Sequence, residues 1–159
     1  MKRFLERPIT YLTALYAILG GMAFFVIQTS KLLRPESAEI VMAASPLGRF
    51  DWGYVWSDTL VAGPALLIGG ILLLARNRFV LRLGRLLVFA GFAINLYAMI
   101  GLWVGFSAIG QPMHGAVLWM NIILTFLGAL CMIHLGIQAA RDEMREIPKS
   151  KSQISNNDQ

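Results

Sequence analysis

Charge is what this chain has least of. Only 14% of its 159 residues are Asp, Glu, Lys or Arg, whereas 57% are hydrophobic. A soluble domain carries about 25% charged residues and about 45–50% apolar ones. The imbalance, with a mean hydropathy of +0.62, excludes a disordered chain, a nucleic-acid-coating domain and an ordinary soluble enzyme. Cysteine is nearly absent too. Cys131 stands alone, so no internal disulfide forms, and a thiol-relay oxidoreductase, which needs a pair for exchange, is excluded.

Catalytic signatures are also missing. The chain has no HExxH, no GxxxxGK[ST], no GxSxG and no pair of carboxylates within one apolar run. Zinc hydrolysis, P-loop phosphate chemistry and the nucleophile elbow each require one of those patterns. Its two histidines, His114 and His134, stand 20 positions apart in one apolar run. On one helix that is roughly 30 Å, too far to ligate one haem. No coupled nucleophile–base pair or metal constellation is visible, so an enzyme ranks third, behind a ligand-binding membrane protein and an accessory subunit, and no metal or cofactor is expected. A net charge of +5 would suggest nucleic acid in a soluble domain. In a chain this apolar it reads instead as a set of cytoplasmic anchors, with no nucleic-acid partner.

What is present is four long runs with little or no charge, over residues 8–30, 59–75, 86–106 and 113–140. A membrane-crossing helix needs about 20 mainly apolar residues. A lipid-facing barrel strand would instead alternate over about 10 residues. The sequence therefore predicts an all-α integral membrane protein, an antiparallel bundle of four transmembrane helices at about 8–30, 56–76, 80–106 and 113–140. Lys2, Arg3 and Arg7 imitate the start of a signal peptide. The following apolar run is longer than such a peptide uses, and no small-x-small cleavage site follows it, so it reads as a retained helix.

Connector charges set the orientation. Basic residues gather before the first run, at Arg76 to Arg85, and at Arg141 to Lys151; Lys31, Arg34 and Arg49 are offset by Glu36, Glu39 and Asp51. Because basic loops stay in the cytoplasm, both termini are expected inside, in a plasma or inner membrane. In the long outer connector, Pro35 and Ser45-Pro46-Leu47-Gly48 bracket a short interfacial helix at 37–44. Trp52, Tyr54 and Trp56 follow as an aromatic belt. At the far end, Pro148 is expected to end the last helix, leaving 148–159 as a disordered cytoplasmic tail.

Lipid tails are as apolar as leucine, so small residues and buried polar groups must hold such helices together. Gly84, Gly91, Ala98 and Gly105 recur on one face of the third helix, either as packing within the chain or as a homodimer seam. Pro64 is expected to kink the second helix and open space towards the outer face.

Polar residues inside a membrane are costly and are functional candidates by default. Asp58 reads either as the N-cap of the second helix or as an ion-, proton- or cation-binding carboxylate at the outer mouth. His114 reads as a solvated interfacial histidine or a titrating group. Asn95 and Asn121 fall at similar depth, and either bond to each other or face a cavity. Trp56, Trp103 and Trp119 are either pocket walls or interface anchors. Together these seven residues are the candidate ligand site. The leading expectation is a membrane protein with an outward-facing polar pocket that binds or helps move a small polar or amphipathic ligand. The alternative is an accessory subunit of a larger membrane complex with no substrate of its own. A homo-oligomer or a partner membrane protein is expected in either case.

Overall fold

The computed structural model describes the backbone of residues 2–34, 36–44, 47–110, 113 and 115–157, and the side chains of residues 8–34, 36–43, 47–110, 113, 115 and 118–144. Its described part is all helical: α1 (Lys2–Leu32), α2 (Ser37–Ala44), α3 (Gly48–Ser57), a π-helical turn (Asp58–Ala62), α4 (Gly63–Leu72), α5 (Arg78–Ala108) and α6 (Gly115–Asn157). Four stretches are long and apolar enough to cross a bilayer: Pro8–Leu32, Gly48–Leu72, Arg78–Ala108 and Leu118–Met144.

Helix boundaries differ from the sequence expectation, starting with α1, which begins at Lys2 rather than near residue 8. The second apolar stretch starts at Gly48 rather than near residue 56, because the aromatic segment 48–57 is itself helical and runs directly into the π turn. Arg49 and Asp51 gave that segment the look of a connector. The same stretch ends at Leu72 rather than residue 76. The last helix continues through Pro148 to Asn157. A proline removes one helical hydrogen bond and costs about 3 kcal/mol, which weakens a helix without forbidding it. By contrast, α2 falls where its flanking residues place it, although Pro35, Ser45 and Pro46 themselves lie outside the described residues.

The interior combines small and large apolar side chains. Ala14, Ala17, Leu66, Leu73, Val88, Phe92 and Leu135 form the buried cluster, with Tyr16 stacked on Phe92 at 5.3 Å between ring centroids. Large apolar side chains such as Leu12, Val26, Leu60, Leu86, Val104 and Phe126 face outwards. A water-soluble monomer rarely exposes a continuous apolar patch of more than about 300–600 Å²; here such side chains cover all four long stretches.

The small-residue stripe of α5 is spent within the chain. A Cβ built at Gly84 would press on Leu72 and Leu73, one at Gly91 on the Leu66 side chain, and one at Gly105 on the Leu47 side chain. The packing-within-the-chain reading of that stripe is therefore the one the structure adopts. Contacts between α1 and α4 are closer still, since a Cβ at Gly21 would meet Leu67 N at 2.5 Å.

Two backbone details fix the ends of α5. Asn77 is extended, with φ −72° and ψ 129°, and its Oδ1 accepts from Phe79 N at 2.9 Å and Val80 N at 3.3 Å. Asn77→Ala should lower stability by about 1 kcal/mol, the usual value of such a cap, with the change read as a lower midpoint of thermal unfolding in detergent. At the other end Gly110 has φ +69°, the left-handed conformation that terminates helices at glycine.

Candidate functional site

Pro64 sits in the first turn of α4 and has no N–H to give. Just before it, the helix widens. The Gly63 N–H donates to the Asp58 carbonyl, five residues back. The π turn is thus where the chain absorbs the proline that the sequence marks as a kink. Such single wide turns inside helices are frequent at functional sites. Thr59 Oγ1 donates to the Val55 carbonyl at 2.8 Å, supplying a donor to a backbone oxygen in this stretch.

Asp58 opens that turn. Its backbone is helical, with φ −67° and ψ −38°, and so is that of Ser57. It is therefore not an N-cap: a cap residue has non-helical dihedrals, and here the helix is already ten residues old. Its carboxylate is buried instead, with the residue 6% exposed. Gln28 Nε2 on α1 donates to Oδ2 at 3.2 Å, and Oδ1 has no partner. Lys31 and Tyr54 lie within electrostatic reach of the carboxylate.

Further orphan atoms belong to the same part of the molecule. Gln28 Oε1, the Tyr54 hydroxyl and Asn95 Nδ2 are buried without partners. The Tyr54 hydroxyl points at α5, since a Cβ on Gly101 would come within 2.8 Å of it. Asn95 is 6% exposed. Gly91 packs on Leu66 and Ala62, and Gly101 packs on Tyr54 and Phe50. That register sets Asn95, which lies between the two glycines, at the level of the π turn. Burying an unpaired amide or hydroxyl costs about 1–3 kcal/mol on mutational scales. Unpartnered buried polar atoms are uncommon in folded proteins, and each calls for an explanation.

Among the described residues, the remaining sequence candidates form no hydrogen bond with Asp58, Gln28 or Asn95. Asn121 is buried, but its Oδ1 accepts from Thr125 Oγ1 on its own helix at 3.4 Å. No Asn95–Asn121 bond occurs among the described residues, and Asn95 Nδ2 is unpartnered. Trp56, Trp103 and Trp119 are 48%, 49% and 64% exposed, so they face outwards as interface anchors do rather than lining a buried wall. His114 lies outside the described residues. Among the described residues, no three of His, Cys, Asp and Glu come together to hold a metal ion.

Gln28 and Tyr54 are the site residues that sequence reasoning missed. Gln28 carried a signal, as an amide in an otherwise apolar run, whereas Tyr54 was absorbed into the aromatic belt. A second polar cluster was missed as well. Gln138 Nε2 lies 2.8 Å from Thr10 Oγ1 and 2.8 Å from His134 Nε2, tying α6 to α1. Nearby, Arg85 pairs with Asp142 across α5 and α6.

The chain matches no family model, no curated protein and no solved structure. Its class rests on its own features: an all-helical chain with four long apolar helices compatible with a transmembrane bundle.

Proposed function

We propose that this is a multi-pass protein of the cell membrane whose polar cluster at the outer half of the bundle binds, or helps to move, a small polar ligand carrying positive charge. The four spans are antiparallel with both termini in the cytoplasm. Contacts support this arrangement: Gly70 lies on Ala14 and Ile18, Gly21 on Gly63 and Leu67, and Gln28 on Asp58, so numbers rise along α1 as they fall along α4. The distribution of basic residues supports the orientation, since Arg76 to Arg85 and Arg141 to Lys151 then share the cytoplasmic side. In this frame α2 rests on the outer surface, and Asp58, Gln28 and Asn95 lie in the outer half.

The observation that carries the reading is the unpaired Asp58 Oδ1, in a residue 6% exposed. A buried carboxylate without a salt-bridge partner is expensive and marks an ion, proton or ligand site in membrane proteins. The neutral oxygens of Gln28 and Tyr54, also unpartnered, suit a cation better than an anion. Inward packing of the small-residue stripe argues against the accessory-subunit alternative, which needs such a face turned outwards.

Purified protein should show a higher unfolding midpoint with at least one of sodium, potassium and tetramethylammonium chloride at matched ionic strength. Asp58→Asn should abolish the response. No response in the native chain, or an equal response in the variant, contradicts the reading.

A further inference from the structure

A second site lies at the opposite end of the bundle. A groove of about 570 Å³ opens between α5 and α6. Leu86, Phe89, Leu135 and Ala139 form its apolar wall, and Arg82, Arg85, Asp142 and Glu143 form its rim. Arg85 precedes Asn95 by ten positions, so the rim stands about 15 Å along α5 from the polar cluster around Asp58. The groove has the volume of a small-molecule pocket, about 300–1,000 Å³, which is enough for a headgroup and the first methylenes of a chain.

Its chemistry is divided along its length. The wall continues the apolar face of the spans, and the rim places two guanidinium groups opposite two carboxylates. The Arg85 side chain is 13% exposed; its Nη1 is taken by Asp142, and its Nε is buried with no partner. An anionic oxygen arriving in the groove supplies the acceptor that this N–H lacks, and a phosphate matches guanidinium geometry well. A purely anionic headgroup would meet Asp142 and Glu143 at the same rim. A headgroup that carries both phosphate and ammonium satisfies both signs.

We propose that this groove is a headgroup-selective site for a phospholipid of the phosphatidylethanolamine type. The phosphate lies against Arg82 and Arg85, the primary ammonium against Glu143, and an acyl chain along Leu86, Phe89 and Leu135.

Native mass spectrometry of the full chain, released from detergent after incubation with equal amounts of phosphatidylethanolamine and phosphatidylglycerol, tests this. One phosphatidylethanolamine should be retained in preference by about threefold, the size of one exposed ion pair. Glu143→Gln should remove the preference, and Arg82→Ala should reduce retention of both lipids. Both positions are exposed, and helical circular dichroism checks that each variant is folded. Retention of neither lipid, no preference, a preference for phosphatidylglycerol, or a result unchanged in either variant overturns the proposal.

Discussion

Gly21→Ala is expected to unfold the bundle at temperatures the native chain survives, whereas Gly20→Ala, one residue away, is expected to be silent or slightly stabilising. A Cβ at Gly21 would lie 2.5 Å from Leu67 N and 2.8 Å from the Gly63 carbonyl, while one at Gly20 would meet nothing within 4 Å. The obstacles at Gly21 are backbone atoms of the π turn's neighbours, and backbone cannot rotate away as a side chain can. Overpacking a core usually costs about 1–3 kcal/mol; here the upper end or beyond applies, because α1 and α4 must separate. At Gly20 the only change is helix propensity, worth up to about 1 kcal/mol in favour of alanine. Unfolding midpoints of the two variants in one detergent give the comparison. Equal shifts would mean that α1 does not meet α4 through this face.

Asp58→Asn is expected to raise stability in the absence of ligand while removing the response to cations. The amide is neutral, its oxygen still accepts from Gln28 Nε2, and the cost of an unpartnered charge in the interior disappears. Relief of about 1–3 kcal/mol is the expected size, the usual penalty for one unsatisfied buried group. A carboxylate retained for structure alone predicts the opposite sign, with the variant less stable than the native chain. Exchange of stability for binding is the common signature of a functional position. The two measurements separate the readings, because a structural Asp58 lowers the midpoint and a ligand-binding one raises it.

Much of the fold was legible because its signals are local. Four charge-poor runs predicted four apolar helices, and the bracketing of residues 37–44 by turn formers placed α2. The small-residue stripe of α5 predicted close packing, and its glycines lie against Leu47, Leu66 and Leu72. Errors arose where a tertiary contact decides. The start of α3 was hidden because Arg49 and Asp51 resemble connector residues, although Gly48 lies so close to the Met42 backbone that α2 and α3 form one corner. Pro64 was legible as a disturbance, but its accommodation by a π turn was not, and that turn converts Asp58 from a cap into a buried carboxylate. The Gln28–Asp58 bond joins residues 30 positions apart, which no local pattern reports. Asn95 and Asn121 are both buried, but Asn121 bonds along its own helix.

The central claim is that lipid surrounds this bundle and that its connectors alternate between the two sides. Single cysteines at Glu39, Arg76 and Ser107, in a chain with Cys131→Ala, test it with a membrane-impermeant maleimide. Cysteines at 39 and 107 should label in intact cells, and the one at 76 only after permeabilisation. Labelling of all three in intact cells, or recovery of the folded chain from aqueous buffer without detergent, would contradict it.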